Sequence, residues 1–270
     1  MKLGANARYN RAVLSLSEYS GSSFQTLNQF FGLFPASFVL TSPLLELRNL
    51  SCERDERVLF SHLNLVCHAG DLIQIVGPNG SGKTSLLRCL AGISHEYQGE
   101  ILWRGQPVNT NRWEFSRQLL FLGHLPGVKK ALTPLENLRW YCAQHQNTDD
   151  TLIMSALAAV DLAAYEDTPC YQLSAGQMRR VALARLHLSK ARVWVLDEPF
   201  TAIDKDGVAQ LQAMLAQHLV QGGLVLFTSH QDLELPQLKR VLLTEFQAGE
   251  QDHSATGSAF SGATQAEGVS

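Results

Sequence analysis

Between Leu44 and Gln247 the hydrophobic period of the chain changes several times, and each change predicts an element. LLELRNL (44–50) and RVLFSHLNLVC (57–67) alternate apolar and polar residues, as does GEILWRG (99–105). That is the period of antiparallel strands with one wet face. LIQIVG (72–77), VWVLD (193–197) and GGLVLFTSH (222–230) are instead continuous apolar runs. Such runs suit central parallel strands covered on both faces. Helical periodicity occupies the intervals near 83–92, 134–145, 151–163, 175–190 and 205–221. TPLE (133–136) reads as a helix start: Thr133 caps, Pro134 fits the first turn and Glu136 completes a capping box. The expected architecture is α/β, with a parallel core sheet, an antiparallel β part and a helical part.

The flanks break this pattern. Residues 1–43 are rich in Ser, Asn and Phe and nearly devoid of acidic residues, with a basic stretch from Lys2 to Arg11. As a signal peptide the segment is poor, because Gly, Gln and Asn interrupt it and its basic part lies far from its apolar part. It is expected to be a non-native extension from a start codon placed too early, since the patterned body begins cleanly at Leu44. Residues 248–270 hold Gly, Ser, Ala, Gln and Thr with almost no large apolar side chain, and are expected to be disordered. The longest apolar run, Phe30 to Leu40, is interrupted by Pro35 and falls short of the ~18 residues of a membrane span. The chain is not expected to form a channel alone.

Composition narrows the classes further. In 270 residues, 45% are hydrophobic and 17% charged, and the net charge is −3. That is a globular balance without the basic footprint of a nucleic-acid binder. Five cysteines, none in a C-x-x-C pair, read as free thiols in a reducing compartment. Nine histidines show no zinc spacing.

The chemistry lies in four short stretches. GPNGSGKT comprises Gly77, Pro78, Asn79, Gly80, Ser81, Gly82, Lys83 and Thr84, and fits G-x-x-x-x-G-K-[ST] between a strand and a helix. In that setting the loop N–H groups cradle phosphates, Lys83 reaches the β- and γ-phosphates, and the Thr84 hydroxyl takes Mg²⁺. Asp197 ends the buried run VWVLD, where a carboxylate needs a cation or partner; it is the second Mg²⁺ residue expected. Glu198 follows, expected on the opposite side of an extended chain and placed to polarise water. His230 ends the run LVLFTSH at the carboxyl side of the presumed sheet, where ligands bind. The fourth stretch, LSAGQ (173–177), opens a helix with small residues, a phosphate-binding device in search of a phosphate.

The order GPNGSGKT, LSAGQ, VWVLDEP, FTAID, His230 resembles the ATP-binding subunits of ABC transporters over about residues 44–247. The resemblance implies a P-loop ABC-type nucleotide-binding domain and a head-to-tail dimer that sandwiches two ATP molecules. Ser174 and Gly176, with Gln177 beside them, would then meet the γ-phosphate held by the partner's Lys83 loop. Asp204 would fall in the loop crossing the same interface, and residues 125–172 would form the helical subdomain facing a membrane partner. Two positions depart from the family. Arg54 stands where relatives carry an adenine-stacking aromatic; a guanidinium can also stack on a base, and Phe60 is a second candidate. His124 stands near the place of the usual Gln, within a few residues on either side.

CERDERVLF, LWRGQPV, GHLPG, LTPLENL, QLSAGQMRRVALARL and DEPFTAID together are similar to the ATP-binding proteins of cytochrome c maturation. That branch implies an ATPase of haem export or handling that works with two membrane subunits at the cytoplasmic face of the bacterial inner membrane. No residue of the chain itself reads as a haem ligand. The hydrolysis motifs are shared with exporters of lipids, drugs and small solutes, which stay open as the alternative cargo. A DNA-repair or ribosomal ABC protein fits worse: about 90 residues without sustained heptads separate Lys83 from LSAGQ, and there is a single ATPase unit.

Overall fold

The computed structural model describes residues 42–144, 149–231, 235 and 237–247. The expectations for the 1–43 extension, apart from residues 42 and 43, and for the 248–270 tail lie outside the described residues.

Three apolar clusters divide the described chain. The first lies between two sheets. Strands β1 (Leu45–Arg54), β2 (Arg57–Cys67), β4 (Gln98–Trp103) and β5 (Gln106–Pro107) form an antiparallel sheet in the order β2-β1-β4-β5. Strands β3 (Leu72–Val76), β6 (Leu119–Leu122), β7 (Val193–Leu196), β8 (Leu224–Thr228) and β9 (Leu238–Leu242) form a parallel sheet ordered β6-β7-β8-β3-β9. Leu47, Leu50, Phe60 and Leu63 from the first sheet pack with Ile73, Ile75, Val193 and Val195 from the second and with helix α1 (Lys83–Leu90). Alternation in β1 and β2 supplies one buried face, whereas all four residues of β7 and all five of β8 are buried. That is the pattern expected of the two strand classes.

The second cluster covers the other face of the parallel sheet with helix α6 (Lys205–Val220) and part of α5 (Ala175–Leu188). The third joins helices α3 (Pro134–Gln144) and α4 (Asp150–Ala159) to α5 through Leu138, Ile153, Leu157, Val181 and Ala184. Helix α5 contributes to both of these clusters, so it connects the helical part to the core sheet. The TPLE start behaves as its chemistry dictates: Glu136 N–H donates to Thr133 Oγ1 (3.2 Å) and Thr133 N–H to Glu136 Oε2 (2.9 Å).

Several elements escaped the periodicity. Short helix α2 (Arg112–Arg117), β6 and β9 were not expected. Helices α3 to α6 end one to four residues earlier than the apolar pattern suggested. Among the described residues no helix is long and apolar enough to cross a membrane.

Candidate functional site

The carboxyl ends of four parallel strands converge on one edge, with β8 lying between β3 and β7. Residues 77–84 follow β3, Thr228 ends β8, Asp197 and Glu198 follow β7, and Gly123 follows β6. Each sits there because the apolar run before it is consumed by the sheet.

The loop after β3 is shaped by glycine. Gly82 caps α1 in the left-handed region (φ 97°), without a side-chain cap and without an acidic residue in the first turn. Gly80 is left-handed too (φ 79°). A methyl group on Gly77 would come within 2.5 Å of Ser81 Oγ. The loop leaves the first N–H groups of α1 open, which is what an anion needs. Lys83 Nζ donates to the carbonyls of Gly77 (2.7 Å) and Pro78 (2.9 Å), which holds the ammonium across the mouth of the loop. Pro78, Asn79 and Gly80 are exposed, whereas Ser81 is buried.

Asp197 is 2% exposed. Its Oδ1 accepts from Thr228 Oγ1 (2.7 Å) and from Thr84 Oγ1 (3.4 Å). Its Oδ2 is buried and has no hydrogen-bond partner. A buried carboxylate oxygen with no donor is costly; a cation beside Thr84 removes that cost. The Thr84 hydroxyl and the orphaned oxygen therefore fit a hard divalent ion that completes its shell with phosphate and water oxygens. Among the described residues no group of three or more His, Cys, Asp or Glu side chains is placed to hold a metal ion.

Glu198 corrects one expectation. Its backbone is not extended: φ is +52°, in the left-handed region. The turn is held from two sides. Glu198 N–H donates to Thr228 Oγ1 (2.9 Å), and Glu198 carbonyl accepts from the Arg179 guanidinium (2.7 Å). The carboxylate is then aimed at His230, with His230 N–H at 3.2 Å from Oε2 and His230 Nε2 at 3.5 Å from Oε1. Glu198 is largely covered (12% side-chain exposure) and His230 is open (61%). The structure thus brings together Lys83, Thr84, Asp197, Glu198 and His230 on one edge.

Ser174 and Gly176 lie at the N-terminus of α5. A full capping box closes it: Gln177 N–H donates to Ser174 Oγ (3.1 Å), and Ser174 N–H to Gln177 Oε1 (2.9 Å). The Ser174 hydroxyl is therefore a cap first, and the N–H groups of Ala175 and Gly176 lie outside the box. A methyl group on Gly176 would meet the Ala202 carbonyl at 2.8 Å. Asp204 caps α6 through Gly207 N–H (2.9 Å) and takes a two-pronged ion pair from Arg180 (2.8 and 2.7 Å). The Gly207 bond, then Arg180, hold its carboxyl below the usual range. Arg180 also reaches Asp161 at 3.0 Å.

Two base-contact candidates separate. Phe60 is fully buried, and its ring lies 3.2 Å from where a Gly82 side chain would begin. It packs beneath the loop and is not available to stack on a base. Arg54, near the β1–β2 turn, is 61% exposed and pairs weakly with Asp55 (3.5 Å). His124 is exposed, two residues beyond β6.

The sequence reading missed Thr228 and Arg179. Thr228 is fully buried and bridges Asp197 to Glu198. Arg179 carried a signal: with Leu183 and Leu186 it falls at i, i+4, i+7 on the buried stripe of α5. Two further histidines are packed rather than placed at the site. His218 stacks on Trp194 at 3.7 Å between centroids, and burial lowers the pKa of His187.

Comparison with known proteins gives the family. Residues 60–201 match the family described as ABC transporter. The chain is 54% identical over 203 residues to the cytochrome c biogenesis ATP-binding export protein CcmA of Hahella chejuensis, covering 75% of this chain and 96% of that one. It is 51% identical over 207 residues to the protein of the same name from Escherichia coli O157:H7, covering 76% and 99%. A putative ABC transporter ATP-binding protein from Pyrococcus furiosus superposes with a TM-score of 0.66 at 26% identity, covering 76% of this chain and 99% of that one. An ATP-binding cassette solved as a dimer in a post-hydrolysis state with ADP and phosphate shares the fold at a TM-score of 0.62 and 21% identity, covering 69% and 88%. The chain belongs to the ABC transporter family and, within it, to the cytochrome c biogenesis ATP-binding export proteins.

Proposed function

We propose that the chain is the ATP-hydrolysing subunit of an ABC complex that exports or handles haem for c-type cytochrome maturation. It acts at the cytoplasmic face of the bacterial inner membrane, bound to integral-membrane subunits. The observation that carries the hydrolysis is the orphaned Asp197 oxygen beside Thr84 and the phosphate loop. The cargo rests on the relatives named for cytochrome c biogenesis.

Phosphoryl transfer to water asks the protein for alignment and charge more than for covalent chemistry. The loop N–H groups and Lys83 bind the β- and γ-phosphates, exchanging the two loop carbonyls on Nζ for phosphate oxygens. Thr84 and Asp197 would hold Mg²⁺, which neutralises developing charge on the phosphates when bound. Glu198 orients the attacking water and accepts its proton. His230, within reach of Glu198, donates toward the γ-phosphate. Arg54 offers its planar face to the adenine. Ser174 and Gly176 of a second copy complete the γ-phosphate shell in a head-to-tail dimer, with Gln177 holding that end through the capping box and Asp204 close to the interface. His124 and the helical part report to the membrane subunits.

The test is a haem stain of periplasmic c-type cytochromes in a host lacking the protein, given back wild type or Lys83→Ala. Stained bands with wild type and none with Lys83→Ala are expected. Bands that persist without the protein sink the haem reading and leave an ABC ATPase for a lipid, drug or small solute.

A further inference from the structure

Arg179 is 4% exposed, a rare state for a guanidinium. Among the described residues no carboxylate forms an ion pair with it. Instead it makes three hydrogen bonds to main-chain carbonyls: Nη1 to Gly123 (3.0 Å), and Nη2 to Asp197 (3.0 Å) and Glu198 (2.7 Å). These carbonyls belong to two segments at the carboxyl edge, after β6 and after β7. Arg179 itself lies five residues past the Ser174 cap, in the first turns of α5. One side chain therefore ties the N-terminal end of α5 to the two segments that carry Glu198 and His124.

The Glu198 end of this tie is conformationally expensive. A left-handed φ at a non-glycine residue persists only when its surroundings hold it. Thr228 holds the N–H of Glu198 and Arg179 holds its carbonyl. The turn so fixed decides where the Glu198 carboxylate points. Burial pushes the Arg179 pKa down, opposed by the nearby charges of Asp197 and Glu198. A charged guanidinium kept in such a place is stabilised by those carbonyl bonds, and each is a charge-assisted contact.

We propose that Arg179 is a positioning residue that holds the Glu198 turn in its hydrolytic geometry and couples that turn to the N-terminus of α5. The proposal rests on the reading of Glu198 as the water-orienting carboxylate. Movement of α5, when Ser174 and Gly176 engage a nucleotide on the partner, then reaches the chain's own Glu198 through one rigid fork. Arg179 touches no substrate and acts through Glu198.

A double-mutant cycle on the full chain tests this, with single-turnover hydrolysis of labelled ATP and a separate ATP-affinity titration. Arg179→Met keeps the volume and removes the fork. It is expected to slow hydrolysis by about tenfold or more, as small misplacements do, while ATP affinity stays within about twofold. In a Glu198→Gln background the same change is expected to slow the residual rate by less than about twofold, because the group it positions is already gone. Arg179→Lys, which keeps the charge but not the fork, is expected between wild type and Arg179→Met. If Arg179→Met does not fold, Arg179→Lys runs through the same cycle. Equal rate losses in both backgrounds, or an unchanged rate in the single variant, overturn the proposal while leaving Glu198 in place. Wild-type turnover in Glu198→Gln alone removes the reading on which it rests.

Discussion

Two helix N-termini of this chain carry Ser and Gly, and they are built in opposite ways. At α1 the cap is Gly82, left-handed and without a side-chain acceptor, and Lys83 spans the loop mouth. At α5 a capping box consumes the hydroxyl of Ser174 and two N–H groups. The first end is an open cradle with its own cation, a combination that suits a polyphosphate. The second keeps the N–H groups of Ala175 and Gly176, while Arg179 beside it is turned into the core and Arg180 is paired with Asp204 and Asp161. On the proposed reading, an end of that kind senses a phosphate already held elsewhere. On that reading, affinity belongs to the loop after β3 and turnover to the start of α5.

The largest expected effect breaks the open end. Lys83→Ala removes the only cation of that loop and is expected to weaken ATP binding roughly 100-fold, or about 3 kcal/mol, in a titration of the full chain. Affinity within a few-fold of wild type would show that the backbone cradle suffices without the ammonium.

Acid is expected to destabilise the fold that carries both ends. His218 is stacked on Trp194 of β7, the strand that leads to Asp197, and burial pushes its pKa down to about 4 from 6.5. The folded state keeps His218 neutral while the unfolded chain protonates it, so stability is expected to fall as pH drops from 6.5 toward 4. The loss levels off below that and reaches at most about 3 kcal/mol. Chemical denaturation of wild type and His218→Gln between pH 7 and 4 measures it. An equal pH slope in both proteins removes His218 from the account.

Gly176→Ala probes the second end selectively. The added methyl meets the Ala202 carbonyl at 2.8 Å, in a segment whose φ is already left-handed (62°). The segment must shift, and turnover is expected to drop about tenfold with ATP affinity unchanged. A fall in affinity as large as that of Lys83→Ala would erase the distinction between the two ends.

How much of this was legible depends on how local each cause is. The loop after β3 and the buried strand before Asp197 are contiguous stretches whose chemistry is complete within eight residues or fewer, so both were readable from the chain. Strand β6 is only four residues long, LLFL, too short a run to display a period, and β9 is an edge strand whose Lys239 and Arg240 hide the apolar period. Phe60 shows the limit of proximity: it is near the loop, but alternation in β2 turns it under Gly82. Glu198 looked extended because a left-handed φ leaves no mark in the residue type. What holds it, Thr228 and Arg179, comes from β8 and α5, about 30 residues downstream and 19 upstream. Such non-local hydrogen bonds have no sequence period. Only the place of Arg179 on the apolar stripe of α5 hinted at them.

The smallest expected effect sharpens the comparison most. Ser174 serves as a cap and as a phosphate contact, and substitutions separate the two roles. Ser174→Ala loses the hydroxyl that accepts from Gln177 N–H and is expected to cost about 1 kcal/mol of stability, whereas Ser174→Gly costs only a few tenths. Gln177→Ala removes the other half of the box while sparing the Ser174 hydroxyl. If the hydroxyl matters to turnover only as a cap, the loss of hydrolysis follows stability, and Ser174→Gly outperforms Ser174→Ala. If it also meets the phosphate, both serine variants lose turnover equally and Gln177→Ala keeps it. Denaturant midpoints and single-turnover rates on the three variants decide between these outcomes. A second end that reads phosphate through its hydroxyl requires the latter pattern; the former leaves only the N–H groups of Ala175 and Gly176 to do so.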